Sequence, residues 1–339
     1  MNLPTSQVQL TSSWQHDMAQ GIRKVSELLN LLHISPDKLP DTIDHDSDFP
    51  VRVPRSYVER MNKGDPHDPL LRQVLPITRE QEKTPGFSSD PVGDLPAMSA
   101  RGLVHKYKGR VLLITTGACA VHCRYCFRRH FPYSETQLAV NDWDNAINYI
   151  ANDTSITEVI LSGGDPLTLS DRRLSSLTDK LCEIPHLNRL RIHTRLPVVL
   201  PARVDSGLLD WLRSISLRTV MVIHANHPNE INSEVQGALI RLVENGMTLL
   251  NQSVLLRGVN NDCTILVQLS EILFAAGVIP YYLHVLDKVQ GTAHFAVEDE
   301  EIRFIYQELL SSLPGYLVPR LVRENAGEHY KMPITPYAR

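Results

Sequence analysis

From residue 110 onward the chain repeats one pattern. Short apolar runs, rich in β-branched residues, recur at Val111–Thr115, Glu158–Leu161, Arg189–His193, Thr219–Ile223, Thr248–Leu255 and Ile279–His284. Each has the length of a buried strand. Helix-length segments separate them, at about 142–152, 170–183, 204–213, 230–245 and 263–276. In the fourth of these, Leu239, Leu242, Val243 and Met247 form an apolar stripe at helical spacing. Strands alternating with helices build parallel β/α units. Two architectures satisfy that pattern: a doubly wound open sheet and a barrel.

Polar residues favour the barrel, because they gather at the downstream ends of the strands. Three cysteines follow the first strand, and Ser162-Gly163-Gly164-Asp165-Pro166 follows the second. His193-Thr194-Arg195 ends the third and His224-Ala225-Asn226-His227-Pro228 the fourth. Asn251-Gln252 lies on the fifth, and His284 to Asp287 ends the sixth. A doubly wound sheet has one crevice at its switch point. A β/α barrel instead collects its chemistry from the C-terminal ends of many strands. The expected fold is therefore α/β, a partial (β/α)6 TIM-like barrel.

The preceding residues read differently. Eleven of the 22 prolines fall there, which implies short helices joined by extended turns. One longer helix comes first: Met18, Ile22, Val25, Leu29 and Leu32 recur at helical spacing behind a candidate cap at Ser12 or Ser13. Residues 1–104 form an expected N-terminal helical extension, 105–297 the barrel, and 298–339 a C-terminal helix and tail.

Composition narrows the function. The net charge is −4, from 34 Lys and Arg against 38 Asp and Glu, with no long basic tract. Binding to nucleic acid or to an anionic membrane through charge is not expected. No run of about 18 apolar residues offers a membrane span. Met1-Asn2-Leu3-Pro4-Thr5 lacks the basic-then-apolar order of a secretory signal. The expected location is the cytoplasm, where cysteines serve metals or catalysis more often than disulfides.

Cys119, Cys123 and Cys126 have C-x3-C-x2-C spacing. Structural zinc usually takes four ligands, often from two separated knuckles, and no second knuckle exists. Iron–sulfur clusters are normally held by four thiolates, so three would leave one iron open to chemistry. A structural cluster with a distant fourth ligand, or unrelated buried thiols, also fits this spacing. Cys182 and Cys263 lie in helix-like segments and read as small packing residues.

With Tyr125 just before the last cysteine, the motif resembles that of the radical S-adenosylmethionine (SAM) superfamily. The resemblance implies a 4Fe-4S cluster on Cys119, Cys123 and Cys126, with SAM on the open iron. Gly163, Gly164 and Asp165 resemble the stretch that contacts the SAM amino group, and adjacent glycines allow a close backbone approach. A narrower resemblance is to the lysine 2,3-aminomutase family. It rests on six ordered stretches. They are His105-Lys-Tyr-Lys-Gly-Arg110-Val-Leu, Cys126-Phe-Arg128-Arg129, Arg191-Ile-His-Thr-Arg195-Leu-Pro-Val-Val, Asn226-His-Pro-Asn-Glu230, Asn251-Gln-Ser-Val-Leu-Leu-Arg-Gly-Val-Asn260 and Gly291-Thr-Ala-His-Phe295.

That resemblance implies an isomerase that uses the cluster, SAM and pyridoxal 5′-phosphate (PLP) to move the α-amino group of L-lysine to the β-carbon. An electron would come from a reductant such as flavodoxin or ferredoxin. The PLP lysine falls on Lys331, in Lys331-Met332-Pro333. Phosphate contacts fall on Lys106, Arg110 and Gln252, with Tyr107 beside them. Arg195 and His224 match positions near SAM. The substrate carboxylate falls to Arg128, and the distal ammonium to Asp287 and Glu324. Two such carboxylates oppose an acidic substrate by like-charge repulsion.

Three departures stand out. Glu324 replaces the Asp of longer members, adding one methylene. Ala326-Gly-Glu-His-Tyr330 is bulkier than the family's Gly-rich run. No Cys follows Cys263, so a zinc-binding C-terminal tail has no counterpart and the oligomeric state is left open. These features resemble the bacterial branch that supplies (R)-β-lysine for modification of elongation factor P, which implies a functional link to that factor and its lysyl ligase. An aminomutase acting on another amino acid and a non-catalytic iron–sulfur protein are the alternatives.

Overall fold

Ten strands form one sheet in strict chain order, in a computed structural model that describes residues 13–133 and 143–336. They are β1 (Met98–Ala100), β2 (Leu103–Tyr107), β3 (Arg110–Thr116), β4 (Glu158–Gly163), β5 (Arg189–Thr194), β6 (Arg218–Ile223), β7 (Thr248–Leu255), β8 (Val278–Val285), β9 (Arg320–Arg323) and β10 (Met332–Pro333). From β3 to β9 every neighbouring pair is parallel, and the pairs β1–β2, β2–β3 and β9–β10 are antiparallel. An order without reversal has no switch point. Right-handed crossovers then put the helices on one face, and the sheet curls into a barrel sector. The doubly wound option is thereby excluded.

All six expected strands are present, extended by a residue or two at some ends. β9 escaped the sequence reading because four residues flanked by Arg320 and Arg323 carry no apolar run. β1 and the start of β2 fall within the stretch read as helical, so that reading is corrected at its end.

Side chains alternate across the strands as the pleat requires. Leu190, Ile192, Leu249, Val159 and Leu161 belong to the apolar core. Their neighbours Ile160, Ser162, Arg191, His193, Gln252, Val254, Tyr282 and His284 line a cavity. The interior is thus open instead of filled, with polar side chains set among apolar ones. The helices outside it are α5 (Asp144–Asn152), α6 (Asp171–Cys182), α7 (Leu196–Val199), α8 (Ser206–Ser214), α9 (Ser233–Glu244), α10 (Cys263–Ala275) and α11 (Asp299–Ser312). The first expected crossover helix began at residue 142, which lies outside the described residues. In α9, Leu239 and Leu242 are buried, but Val243 is exposed and Met247 lies past the helix end. Gly246, at φ 85°, turns the chain out of the helix before Met247 is reached. Cys182 and Cys263 are half-buried at the ends of α6 and α10, and Cys263 packs beside the cluster around Leu266 and Leu309.

The single long N-terminal helix is corrected to two, α1 (Trp14–Ala19) and α2 (Val25–Leu32). Ile22 leaves the helical path to exchange backbone hydrogen bonds with Val53, at 2.8 and 3.1 Å. A Cβ on Gly21 would stand 3.2 Å from the carbonyl oxygens of Met18 and Val53, so the break is built around a glycine. Ser13 caps α1, accepting from His16 N at 3.4 Å; Ser12 lies outside the described residues. The proline-rich stretch yields short helices as expected, α3 (Arg55–Val58) and α4 (Pro69–Arg72), the latter capped by Asp68 at 2.8 and 2.9 Å. These elements share one apolar cluster with the barrel helices.

Candidate active site

The loop after β3 carries the three cysteines, and the proline-rich region grips it. Arg124 N donates to Gln73 O at 2.9 Å, and His122 N to Arg52 O at 2.9 Å. Arg124 is fully buried; its Nε donates to Glu80 Oε1 at 2.8 Å and its Nη2 pairs with Glu80 Oε2. Arg129 Nη2 reaches the same oxygen at 2.6 Å. From the other side comes the turn after β4. Gly164 N donates to Thr116 O at 2.7 Å and Asp165 N to Ala118 O at 2.8 Å. A Cβ on Gly164 would lie 2.3 Å from Ala118 O. Close backbone approach is thus required here, and the group approached is the cysteine loop itself.

Asp165 acts within this frame. Its carboxylate accepts from Leu167 N, Thr194 Oγ1, Arg195 N and Leu196 N at 2.7 to 3.1 Å. It ties the β4 turn to the end of β5 and sets the position of Arg195. The Arg195 guanidinium donates to Cys123 Sγ at 2.8 Å, Gln73 Oε1 at 2.9 Å, Glu230 Oε2 at 2.8 Å and Tyr57 OH at 3.2 Å.

The three thiols are the soft donors that an iron–sulfur cluster takes. Burial pushes the Cys119 thiol well up and that of Cys126 up to about 11, with neighbouring thiols adding to both shifts. Buried thiolates crowded together need a cationic centre to ionise at neutral pH. Among the described residues, no three His, Cys, Asp or Glu side chains form a group that could hold one metal ion. A 4Fe-4S cluster takes one thiolate at each of several irons, so its ligands stand apart.

Along the cavity wall a chain of alternating charges runs from Arg128 to Lys331. Arg128 Nε donates to Asp94 Oδ2 at 2.7 Å and Arg128 Nη1 to Ser162 Oγ at 3.2 Å. Lys106 Nζ lies 2.6 Å from Asp94 Oδ1 and 3.2 Å from Glu324 Oε1, and donates to Val92 O at 2.7 Å. Tyr107 OH donates to Glu324 Oε1 at 3.2 Å, and Lys331 Nζ pairs with Glu324 Oε2. Burial raises the carboxyls of Asp94 and Glu324, but their cationic partners outweigh it. Arg128 and Lys106 hold Asp94 at about 2, and Lys331 and Lys106 hold Glu324 at about 2. Asp287 goes the other way, pushed up to about 7 by burial and by Glu324.

Gln252 Nε2 donates to His224 Nε2 at 2.6 Å, and burial depresses His224 to about 3, which keeps the ring neutral and able to accept. The Arg110 guanidinium lies 4.6 Å from the centre of the Tyr107 ring. Lys106, Arg110, Gln252 and Lys331 thus form a set of donors suited to a phosphorylated aldehyde. All the residues selected from sequence, from Lys106 to Lys331, line one cavity of about 1040 Å³. Its walls also include residues the sequence did not single out. Asp94 sits in the irregular proline-rich stretch, where no periodicity points to it. Behind the wall, the buried Glu230 that pairs with Arg195 lay inside a recognised stretch, Asn226-His-Pro-Asn-Glu230, which was its one signal.

Residues 113–266 match the model of the radical SAM superfamily. Over 322 residues the chain is 49% identical to an L-lysine 2,3-aminomutase of Escherichia coli (strain K12), covering 95% of this chain and 94% of that protein. A Haemophilus influenzae protein of the same name is 47% identical over 94% of each chain. One from Clostridium subterminale is 34% identical over 96% of this chain and 78% of its own longer one. The chain belongs to the L-lysine 2,3-aminomutase family. It is therefore a radical SAM isomerase, and the superfamily implies a 4Fe-4S cluster and SAM. Among the described residues no helix is long and apolar enough to cross a membrane.

Proposed function

We propose that this protein converts L-lysine to (R)-β-lysine with PLP as a second cofactor, and that the product serves the modification of elongation factor P in the cytoplasm. The observation that carries the reading is the sharing of one cavity by the cysteine loop, Arg128, Asp287 and Lys331. When bound, SAM and the reduced cluster supply a carbon-centred radical, and PLP delocalises the unpaired electron beside the migrating nitrogen.

The chain's own residues bind and orient. Lys331 anchors PLP through its amine. Lys106, Arg110 and Gln252 hold the phosphate, with Tyr107 alongside. Asp94 occupies Nε of Arg128 and Ser162 occupies Nη1, which among the described residues leaves Nη2 for the substrate carboxylate. Cys119, Cys123 and Cys126 hold the cluster. Gly163, Gly164, Asp165, Arg195 and His224 frame the space between, where SAM fits. The β/α walls exclude water from reactive species.

Anaerobic incubation of the reconstituted protein with lysine, SAM and a reductant such as flavodoxin or ferredoxin should yield β-lysine of R configuration on chiral chromatography. No β-lysine, with cluster and PLP confirmed present, would overturn the activity; an S product would overturn the stereochemical assignment. Adding the lysyl ligase and elongation factor P should give a β-lysyl mass increase on the factor. Borohydride should fix PLP to the wild type and not to Lys331→Ala.

A further inference from the structure

We propose that Arg23 and Arg52 dock the electron donor, a small protein with an acidic face around a flavin or iron–sulfur centre. The inference needs only a cluster on Cys119, Cys123 and Cys126, and it does not depend on which amino acid is isomerised.

The pairing of two short extended segments creates the site. Ile22 and Val53 form an antiparallel bridge, their backbones exchanging hydrogen bonds at 2.8 and 3.1 Å. The next residues outward, Arg23 and Arg52, therefore stand directly opposite each other, where side chains approach most closely. Ile22 and Val53 are buried, while Arg23 is exposed and Arg52 half-buried. Like charges directly opposite across such a pair are destabilising. Nothing in the fold offsets them. Among the described residues neither guanidinium has a hydrogen bond or an ion pair, and Arg52 Nε is buried without a partner. Burial and the facing Arg23 together pull the Arg52 guanidinium below its usual range. Other arginines around the cysteine loop are matched: Arg124 and Arg129 share Glu80, and Arg195 pairs with Glu230. An uncompensated pair at the surface suits an anion from outside the chain.

Its position says which anion. His122 lies between Cys119 and Cys123 in the chain and lines the cavity with them. Its backbone N donates to Arg52 O at 2.9 Å, its ring Nδ1 donates to Pro50 O at 2.8 Å, and the ring stacks on Phe49 with centres 4.5 Å apart. Burial raises the Cys119 thiol and Arg52 opposes that rise, so the guanidinium lies within electrostatic reach of the sulfur. Arg23 and Arg52 do not themselves line the cavity, so they are not placed to meet SAM or lysine. The pair thus stands on the outer side of the cysteine loop, with His122 between it and the cavity. Reduction moves one electron: the donor is oxidised by one, the cluster is reduced by one, and no bond is made or broken. That transfer needs the two centres close together, and opposite charge on the donor speeds and orients the encounter.

The test uses cluster-loaded protein, with flavodoxin and a ferredoxin as probes. At low ionic strength, Arg23→Glu and Arg52→Glu should each weaken carrier binding by about tenfold in calorimetric titration. The difference from wild type should shrink to within about twofold in ~0.5 M salt. Cluster reduction by the reduced carrier, followed as bleaching in stopped flow, should slow in step at low carrier concentration. Reduction by photoreduced deazaflavin, which needs no docking, should keep the wild-type rate. Each reversal also sets a glutamate opposite the remaining arginine, so the melting temperature should rise while docking weakens. Loss of a merely structural arginine would lower it. Arg23→Gln should show a smaller loss of affinity, and it carries the comparison if a reversal does not fold.

Unchanged carrier affinity in both reversals would overturn the proposal. So would wild-type protein that binds neither carrier, or an equal slowing of reduction by deazaflavin. Protein that docks a carrier through these arginines yet makes no β-lysine would overturn the substrate reading alone.

Discussion

Glu80 and Glu324 each stand between two cations, in opposite surroundings. Glu80 joins Arg124 and Arg129, and the three side chains are 3%, 0% and 5% exposed. Glu324 joins Lys331 and Lys106, at 14%, 23% and 14%. Guanidinium forks fix direction as well as charge, while ammonium groups act as point charges on flexible stems. The cysteine loop is thus clamped in advance by a buried, directional network. The lysine arm is held by a two-residue strand and by ion pairs that water reaches, behind a fully exposed loop from Asn325 to Tyr330. A cluster needs ligands that stay in place, whereas a lysine that exchanges its partner needs an arm that can move.

The strongest way to break this comparison is at the two glutamates. Glu80→Ala leaves two buried guanidinium groups without their anion and should cost about 3–5 kcal/mol. Iron content after reconstitution should fall with it, because Arg124 lies within the cysteine motif. Glu324→Ala should lower the melting temperature less, since the flexible ammonium stems of Lys331 and Lys106 can turn toward water. Thermal melts of the two apoproteins side by side decide this. Equal losses would mean that the lysine arm is as rigidly built as the cysteine loop.

The next test concerns steric fit at the cysteine end. A Cβ added at Gly164 would meet Ala118 O at 2.3 Å and the Gly117 carbonyl carbon at 2.8 Å, all backbone that cannot swing away. Gly164→Ala should cost about 1–3 kcal/mol by overpacking. Ala118 directly precedes Cys119, so the displaced loop should also hold less iron. Full iron occupancy in this variant would show that the loop tolerates movement.

The same contrast explains what the sequence made legible. Cysteine spacing, the glycine pair and the six strand runs are local patterns, and each is written within a few consecutive residues. The braces are not. Tyr57, Gln73, Glu80 and Asp94 come from a region whose path is set by proline turns and tertiary contacts, so no period places them against Arg195, Arg124 or Arg128. The broken helix at Gly21 follows the same logic, since pairing of Ile22 with Val53 outweighed a continuous apolar stripe. Glu324 was legible as a charge in the right place. Its partner depended on the register of β9 with β10, two strands too short to announce themselves.

A weaker effect on stability separates the carboxylates by pH. Glu324 and Asp94 are held at about 2, below their unfolded values, so their contribution is full above about pH 4 and is lost as pH falls toward 2. Asp287 is raised to about 7, so the folded protein favours its neutral form and loses stability as pH climbs from about 4 to about 7. Asp287→Asn should remove that second slope and leave the acid limb intact. Lysine binding needs the ionised carboxylate, so wild-type affinity should strengthen as pH rises through about 7, and Asp287→Asn should lose this dependence. Denaturant melts and binding titrations between pH 3 and pH 8, an arbitrary range of about five units, measure both. A slope that survives in Asp287→Asn would assign it to another group.

The smallest effect is expected at Gly327, in the exposed loop ahead of Lys331. Its φ is 85°, yet a Cβ there would meet nothing within 4 Å. The cost of Gly327→Ala is therefore conformational alone, about 1 kcal/mol for a side chain in the left-handed region. Nothing packed against the loop is displaced, so iron content should match wild type and borohydride should still fix PLP to Lys331. Gly164→Ala and Gly327→Ala thus make the same chemical change in the two segments, one against backbone and one into open space. If Gly327→Ala lost as much stability as Gly164→Ala, the loop ahead of Lys331 would be as tightly held as the cysteine loop. The contrast between a clamped loop and a mobile arm would then fail.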